Sequence, residues 1–349
     1  MRASEVLIRR QGAVGRLTLN RPQALGALTT NMCKRMIEAL LAWRADDGVR
    51  LVLIDHAGER GFCAGGDIRA LERSAKTDGG AAARSFFQTE YRLDHLIFAY
   101  PKPVATIMDG VVMGGGVGIS WTARYRIATE RTQFAMPETG IGLFPDVGGS
   151  WFLSRLHGAA GAWLAMTGSR LKAAGLEILG IATDVTPSSG LEELKTAIVA
   201  DPDAIETILT EKEADPGRSK MIEHHDDIDR LFGGDKVEDI TARLEADGSD
   251  WALAQRGMMA QKSPTSLKVA LRQLQLGRAM TDFAQAMAME MRIAARLVMG
   301  HDFAEGVRAV ILDKDNAPRW RPQRLAEVTE AVVEAIFAPL PPDQEWSPL

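Results

Sequence analysis

The sequence predicts an α/β fold whose second half is mainly helical. Strand-like runs alternate with helical patterns in the first half, which is typical of folds built from crossover units. The strand signals nearly vanish after about residue 150, where helical patterns dominate. The strand-like runs are short and apolar throughout, which indicates a parallel or mixed sheet buried on both faces.

Each element is predicted from its local pattern. The strands are predicted at 16–20, 49–56, 103–110 and 124–130. The helices are predicted at 29–46, 80–100, 114–123, 150–167, 190–200, 203–213, 236–246, 250–260, 265–276, 280–300 and 302–312. We expect an α/β core over residues 1–185 that carries the site, and a mainly helical region over 186–349 that packs on it. The tail 339–349, PLPPDQEWSPL, is expected to be extended and loosely held.

Composition limits the classes of function. The chain has 349 residues, 46% apolar and 25% charged, and a formal charge of −5. That charge offers no bulk attraction to nucleic acid or to an anionic membrane. No apolar run reaches the roughly 18 residues that a membrane span needs. We therefore expect neither nucleic acid nor a membrane as a partner.

The cysteines and the first residues predict the compartment. Cys33 and Cys63 are the two cysteines, which allows neither a disulfide framework nor a zinc pattern. The start, MRASEVLIRRQG, lacks the apolar segment of a signal peptide. A cytoplasmic location is expected, or a mitochondrial one if the chain is a trimmed eukaryotic precursor.

Two glycine clusters each follow a strand signal and open a helix. They are ERGFCAGGDIRAL (59–71) and DGVVMGGGVGIS (109–120). Glycines without a Cβ let backbone N–H groups approach a ligand, and one N–H from each loop would form an oxyanion hole. Neither loop has the lysine of a phosphate loop or the spacing of a dinucleotide fingerprint. The alternative is that the glycines serve tight packing of helix on strand.

Two carboxylates stand in the apolar segment FAMPETGIGLFPDVGGSWF (134–152). Glu138 and Asp146 are eight residues apart, each in a loop-like setting. An acid in an apolar wall has a raised pKa and can exchange a proton near neutral pH. One acid of such a pair can act as base or nucleophile while the other orients or donates. A simpler role as a helix N-cap remains open for Asp146.

Other potential catalytic groups are interpreted as structural. His56 and His95 lie in strand and helix patterns, and Cys63 has no histidine partner nearby. The segment EHHDDID (223–229) has metal-capable side chains, but no third ligand is spaced to join them. It is interpreted as a solvated turn or the start of a helix, and no metal site is expected.

The motifs, in their order and spacing, resemble the crotonase (enoyl-CoA hydratase/isomerase) superfamily. The similarity is closest to its 3-hydroxyisobutyryl-CoA hydrolase branch and covers about residues 5–335. It rests on the segments NRPQALGALT, GFCAGGDI, MGGGVG, PETGIGLFPDVGG, SPTSLKVALRQL and GHDFAEGVRAVILDKDNAPRW. The resemblance implies a crotonase-like spiral of ββα units with a helical C-terminal region.

The resemblance also implies roles for individual residues. The oxyanion-hole amides fall at Gly66 and Gly115, the catalytic acid at Glu138 and the second acid at Asp146. A further substrate-contacting glutamate falls at Glu90. The residues implied to bind CoA are Gly66, Asp67, Ile68 and Arg69, and more loosely Gln23, Ala24 and Leu25. Most crotonases have an asparagine where this chain has Gly26, which removes a side-chain link near the CoA entry.

Two positions separate branches of the superfamily. Hydratases resemble one another in having glutamates at the places of Gly118 and Glu138, and usually glycine at the place of Asp146. Glycine cannot act as an acid or base, so two-glutamate water addition is not expected. The resemblance therefore implies hydrolysis of the thioester of 3-hydroxyisobutyryl-CoA, a reaction of valine catabolism. The 3-hydroxypropionyl thioester is an alternative substrate.

Two alternatives to the hydrolase function remain open. The chain could be an enoyl-CoA hydratase or isomerase, or a non-enzymatic acyl-CoA binder whose acids are inert. Glu138 would either attack the thioester or activate water. CoA enters as part of the substrate, and no cofactor or metal is implied. Crotonases are commonly trimers or pairs of trimers, so a homo-oligomer is expected unless the longer C-terminal region covers that surface.

Overall fold

The computed structural model describes residues 4–349, whose nine strands form two sheets. The strands are β1 (Val6–Gln11), β2 (Val14–Leu19), β3 (Leu51–His56), β4 (Gly61–Cys63), β5 (Val104–Met108), β6 (Val111–Met113), β7 (Tyr125–Ala128), β8 (Gln133–Ala135) and β9 (Asp184–Val185). The larger sheet has the order β1-β2-β3-β5-β7-β9 and the smaller sheet β4-β6-β8. Only the β1–β2 pair within these sheets is antiparallel. The larger sheet, which contains this pair, is therefore mixed, as predicted.

Helices fill the remaining segments and dominate after residue 150. They are α1 (Thr30–Arg44), α2 (Ile68–Thr77), α3 (Ala81–Phe98), α4 (Gly115–Trp121), α5 (Gly149–Phe152), α6 (Ala160–Thr167), α7 (Ala173–Ile178), α8 (Leu191–Ala200), α9 (Ile205–Glu211), α10 (His225–Phe232), α11 (Val237–Asp247), α12 (Asp250–Ala260), α13 (Pro264–Ala279), α14 (Phe283–Leu297), α15 (His301–Val307) and α16 (Glu330–Phe337). The SPTSLK segment starts α13, because the Ser263 hydroxyl accepts the Ser266 N–H and Pro264 occupies the first helical position.

Successive strands alternate between the two sheets. β3, β5 and β7 lie in the larger sheet, and each is followed directly by β4, β6 or β8 in the smaller one. Helices α2 and α3 follow the first of these pairs, and α4 follows the second. The repeated strand–strand–helix order winds the chain into a spiral. The predicted spiral of ββα units with a helical C-terminal region is confirmed.

The strand predicted at 103–110 is confirmed as β5, after which Gly110 at φ 77° turns the chain into β6 of the smaller sheet. Two helix predictions are wrong in a physically informative way. Residues 150–167 are not one helix, since the chain turns at Gly158 with φ 57° and separates α5 from α6. The helix predicted at 302–312 ends at Val307 and continues as a wider π-helical turn over Arg308–Leu312. Each change depends on a backbone conformation that apolar periodicity does not report.

The core is continuous from the sheets into the helical region. One hydrophobic cluster extends from Val6 in β1 to Trp346 near the C-terminus. A second cluster covers the other face of the larger sheet, where Leu194 and Ile198 of α8 pack against its strands. The strands are therefore buried on both faces, as predicted. The division at residues 185 and 186 follows the last strand, and its status as a domain boundary stays a prediction.

The C-terminal tail is anchored, so the expectation of a loosely held segment is wrong. Trp346 is buried, and the Arg92 guanidinium donates to the Ser347 carbonyl. Glu345 forms an ion pair with Arg292 of α14 at 3.0 Å. Apolar burial and charge pairing thus hold the tail against α3 and α14. None of the helices formed by residues 4–349 is long and apolar enough to cross a membrane.

Candidate active site

Three segments of the candidate site lie side by side because each follows a strand of the smaller sheet. Gly65 and Gly66 follow β4, Gly114 and Gly115 follow β6, and Glu138 follows β8. Neighbouring strands of this sheet run parallel. Their carboxyl ends therefore meet at one edge, where ligands bind in open α/β sheets. The sheet order explains why segments about 25 to 50 residues apart in sequence form one site.

The two glycine loops pack closely against each other and against neighbouring side chains. A Cβ added at Gly114 would lie 3.1 Å from the Gly65 Cα, and one at Gly66 would lie 2.7 Å from the Phe86 ring. At Gly115 a Cβ would lie 2.2 Å from Oε1 of Glu90. Within residues 4–349, the N–H groups of Gly66 and Gly115 make no hydrogen bond to the protein. Two free N–H groups at one edge supply the donors that an oxyanion hole requires.

These loops line a cavity of about 360 Å³. Its walls are largely apolar, and its polar groups are concentrated on a few side chains. This is the usual character of a small-molecule site. Of the predicted site residues, the lining contains Gly66, Ile68, Glu90, Gly115, Glu138 and Asp146.

Glu138 opens a short 3-10 turn, Glu138–Ile141, immediately after β8 and Pro137. Its side chain is buried, and its Oε2 has no hydrogen-bond partner among the residues described. Burial and then the Asp146 charge raise the pKa of Glu138, whereas the Lys262 ammonium acts in the opposite direction. A carboxyl group that is stripped of solvent and faces a cavity has the properties of a base or nucleophile.

Asp146 is held by an unusual loop. The next two residues, Val147 and Gly148, have φ values of 52° and 93°. A β-branched residue in the left-handed region is strained and needs support from its surroundings. Glu290 of α14 provides it, since its carboxylate accepts the N–H groups of Gly148 at 2.8 Å and Ser150 at 2.9 Å. Burial raises the pKa of Glu290 to about 8.

Asp146 belongs to a cluster of buried acids. Its Oδ2 accepts the Tyr91 hydroxyl at 2.8 Å, and Glu90 lies beside Tyr91 on α3. Burial raises the pKa of Asp146 to about 6, although the Tyr91 hydrogen bond lowers it. Burial, followed by the charges of Asp146 and Glu138, raises the pKa of Glu90. Asp146 is thus a side chain of the cavity and not an N-cap, as Gly148 precedes α5.

Asp94 adds a fourth acid that sequence analysis does not anticipate. It lies one helical turn after Glu90, is fully buried, and neither carboxylate oxygen has a partner within residues 4–349. Burial and then the Glu90 charge raise its pKa. A Cβ at Gly118 would lie 2.7 Å from both Asp94 oxygens and 2.8 Å from the Val147 Cβ. Asp94 and Val147 therefore occupy the space that a side chain at position 118 would need.

Asp94→Asn is expected to change how protein stability depends on pH. Because the pKa of Asp94 is raised by folding, the folded state holds this proton where the unfolded chain has lost it. The contribution of Asp94 to the free energy of unfolding therefore falls as the pH rises above the pKa that this carboxyl group has in the unfolded chain. Relative to wild type, the variant should gain up to about 1.4 kcal/mol for each pH unit above ~4. Urea unfolding at several pH values between 5 and 8 measures this, and a difference independent of pH would contradict it.

The remaining residues predicted to bind CoA lie outside the cavity lining. Asp67 caps α2 and forms an ion pair with Arg21 at 3.0 Å, and Arg69 is exposed and donates to the Ile311 carbonyl. Gln23, Ala24 and Leu25 lie in a turn before α1, where the Leu25 carbonyl accepts the Ala64 N–H. The turn thus contacts the first glycine loop, and CoA binding by these five residues stays a prediction.

Gly26, where the resemblance implies that most family members have asparagine, has no room for a side chain. A Cβ there would lie 2.2 Å from the Phe62 carbonyl oxygen, and φ is 68°. The departure from the family pattern is therefore matched by close packing of this turn on β4.

The cavity also contains a cation that was not predicted from the sequence. Lys262, between α12 and α13, lines it together with Glu138. Burial lowers the pKa of Lys262 and the Glu138 charge opposes that change. Its Nζ lies 3.4 Å from where a Cβ at Gly140 or Gly168 would stand. The only available signal was the position of Lys262 directly before the SPTSLK motif.

The other groups considered in the sequence lie outside the cavity lining. His56 is 3.9 Å from Asp109, and His95 stacks on Phe283 of α14. Cys63 is buried, and burial raises the pKa of its thiol to about 12, which suppresses the thiolate. The structural interpretation of these three residues fits their surroundings. Segment 223–229 begins α10, as predicted.

Comparison with known proteins identifies the family. The enoyl-CoA hydratase/isomerase family profile matches residues 14–337. A relative from Danio rerio described as "3-hydroxyisobutyryl-CoA hydrolase, mitochondrial" is 43% identical over 346 residues, covering 97% of this chain and 90% of its own.

Solved structures agree in fold. A crystal structure of a carnitinyl-CoA dehydratase from Mycobacterium thermoresistibile has a TM-score of 0.93 at 42% identity, covering 98% of both chains. An enoyl-CoA hydratase from Rhodobacter sphaeroides 2.4.1 has a TM-score of 0.92 at 38% identity, covering 99% of this chain and 100% of the other. The full-length match and the two-sheet spiral agree with the resemblance seen in the motifs. The chain belongs to the enoyl-CoA hydratase/isomerase family.

Proposed function

We propose that the protein hydrolyses the thioester of 3-hydroxyisobutyryl-CoA to the free acid and CoA, a step of valine catabolism. The Danio rerio relative is named for this activity, and its similarity covers nearly the whole chain. The acids and the two glycine loops at one cavity supply the groups that thioester hydrolysis needs.

The observation that carries the proposal is the position of Gly118. Hydration by two glutamates would need one at this place. Here that space is filled by the Asp94 carboxyl group and the Val147 side chain, which lie 2.7 and 2.8 Å from where a Cβ at position 118 would stand. Asp94 itself does not line the cavity. The cavity therefore holds Glu138 with Asp146 and Glu90, and lacks an acid from α4.

The reaction would begin with the thioester oxygen between the N–H groups of Gly66 and Gly115. Glu138 attacks the carbonyl carbon, and the two N–H groups stabilise the tetrahedral oxyanion. Collapse expels the CoA thiolate and leaves a mixed anhydride, which water hydrolyses to regenerate Glu138. Asp146 and Glu90 would meet the β-hydroxyl of the acyl group. CoA enters with the substrate, and the proposal needs no other cofactor.

Thiol release from a panel of acyl-CoA thioesters tests the substrate. We expect kcat/KM for 3-hydroxyisobutyryl-CoA to exceed that for isobutyryl-CoA by about 5- to 150-fold, since a buried polar group left unpaired costs roughly 1–3 kcal/mol. The 3-hydroxypropionyl thioester belongs in the panel because it retains the β-hydroxyl. Equal values for the hydroxylated and plain isobutyryl thioesters would remove the proposed role of Asp146 and Glu90.

The covalent route has its own test. Hydroxylamine added during turnover should trap the anhydride as a hydroxamate on the peptide that contains Glu138. Turnover in oxygen-18 water labels Glu138 when water opens the anhydride at the enzyme carbon. Attack at the acyl carbon of the anhydride would instead release an acyl hydroxamate and leave Glu138 unlabelled. Absence of the label and of any hydroxamate, on the peptide or on the released acyl group, would indicate that Glu138 activates water as a general base instead.

A second candidate is addition of water to an enoyl-CoA. It is favoured by the descriptions of the two solved relatives as a carnitinyl-CoA dehydratase and an enoyl-CoA hydratase. The two candidates share the fold and the CoA site, so neither feature can separate them. They are distinguished by comparing the rates of thioester hydrolysis and enoyl-CoA hydration directly.

We propose the cytoplasm as the compartment, in keeping with two free and buried cysteines. The Danio rerio relative is described as mitochondrial, and that location would apply to a trimmed eukaryotic precursor. Assembly into a homo-oligomer stays a prediction.

A further inference from the structure

Three metal-capable side chains meet outside the lining of the cavity between the glycine loops. His157 lies between α5 and α6, and His225 and Asp229 lie on α10. One ligand atom from each lies within 4.8 Å of the others. We propose that these three residues form a binding site for a divalent transition-metal ion, zinc foremost. The site is separate from the acyl-CoA cavity, whose lining contains none of them.

The cluster corrects an expectation from the sequence. Segment 223–229 was expected to lack a third ligand, but the fold brings His157 to it from 68 residues earlier. His225 and Asp229 are four residues apart, so they share one face of α10. The imidazole rings of His157 and His225 stack with 5.5 Å between centroids and a 29° tilt.

The carboxylate is already oriented. Asp229 Oδ1 accepts the Ala159 N–H at 2.7 Å. Gly158, at φ 57°, permits this approach, because a Cβ there would lie 1.9 Å from the same oxygen. Ligating carboxylates in metal sites are commonly fixed by such hydrogen bonds. The second oxygen of Asp229 remains available to a metal ion.

The donor set selects the metal. Two imidazole nitrogens and one carboxylate oxygen suit zinc and its neighbours, whereas magnesium and calcium prefer oxygen ligands alone. Tetrahedral zinc places its donors about 3.3 Å apart. The side chains therefore need to draw together by up to about 1.5 Å. The exposed His157 side chain permits this movement. Water would complete the coordination.

A bound ion would join two parts of the chain. His157 belongs to the first 185 residues, and the other two ligands belong to the helical region that follows. A ligand that binds only the folded state raises its stability. Zinc is thus expected to raise the Tm of the full chain by at least about 2 °C at saturation.

Calorimetric titration of the chelator-treated full chain with zinc chloride tests the site. Wild type is expected to bind one ion with a rise in Tm. His157→Asn and Asp229→Asn should each weaken binding at least 10-fold, and the latter retains an acceptor for the Ala159 N–H. Asp226→Asn, at an exposed position on the same helix, is the matched control and should bind as wild type does.

Two results would overturn the proposal. One is the absence of binding to folded wild type, with folding checked by circular dichroism. The other is binding that both ligand variants retain at wild-type strength, since the ion would then lie elsewhere. Thiol release should be unchanged in His157→Asn, which separates this site from the proposed enzyme activity.

Discussion

Glu138→Gln is expected to lower kcat for thiol release by at least about 100-fold while acyl-CoA binding is retained. The amide keeps the size of the side chain but can neither attack the thioester nor accept a proton. Glu138 is buried at the cavity wall, close to Gly114, where a Cβ would lie 3.6 Å from its Oε1. Steady-state kinetics with 3-hydroxyisobutyryl-CoA give kcat, and calorimetry with a slow thioester analogue gives Kd.

Glu72→Gln is the matched control for this variant. Glu72 is a buried glutamate of α2 that does not line the cavity. Its replacement should leave kcat within a few-fold of wild type. If Glu138→Gln retained wild-type kcat, the assignment of Glu138 as the reacting carboxylate would be wrong.

Gly115→Pro is expected to lower kcat by about 100- to 1000-fold, because it deletes one of the two N–H groups aimed at the oxyanion. Proline suits the first position of a helix, which Gly115 occupies in α4. Any side chain there meets Glu90, since a Cβ would lie 2.2 Å from its Oε1. The loss of the N–H must therefore be separated from this steric effect.

Gly115→Ala makes that separation. It introduces the same Cβ and retains the N–H, so it measures the displacement of Glu90 alone. We expect the proline variant to be about 100-fold slower than the alanine variant. Equal kcat values in two folded variants would place the oxyanion donor at another residue.

Local patterns were sufficient to predict the glycine loops and the acid pair. Glycine clusters that end strands, and two carboxylates in an apolar segment, are conspicuous without any tertiary contact. The alternation of strands and helices likewise gave the fold class. The smaller sheet was not predicted, because its strands β4, β6 and β8 have three residues each, which is too few for a periodic signal. That sheet nevertheless determines how the site is assembled.

The supporting residues depend on long-range packing. Glu290 reaches the Asp146 loop from α14, about 140 residues later in sequence. Asp94 could have been suspected from its helical spacing of four residues after Glu90, but its place beside Gly118 follows only from the contact of α3 with α4. The positive φ of Val147 has no sequence signature, because β-branched residues rarely adopt it.

Glu290→Gln is expected to weaken the support of the Asp146 loop. The amide offers one good acceptor oxygen in place of the two that receive the Gly148 and Ser150 N–H groups. Leaving a buried N–H unpaired costs about 1–3 kcal/mol. Urea unfolding at pH 9, above the raised pKa of about 8 of Glu290, measures this loss. Ser154→Ala, at a buried serine outside this contact, is the comparison. Equal stability of Glu290→Gln and wild type would show that the loop does not depend on this carboxylate.

Side-by-side rates of two reactions on one enzyme preparation test the proposed activity most directly. Release of free CoA from 3-hydroxyisobutyryl-CoA and hydration of crotonyl-CoA are measured at the same enzyme concentration and pH. With no acid at position 118, we expect kcat/KM for thiol release to exceed that for hydration by at least about 100-fold. Hydration of crotonyl-CoA at an equal or greater kcat/KM, or a folded enzyme that releases no CoA, would contradict the proposed hydrolase activity.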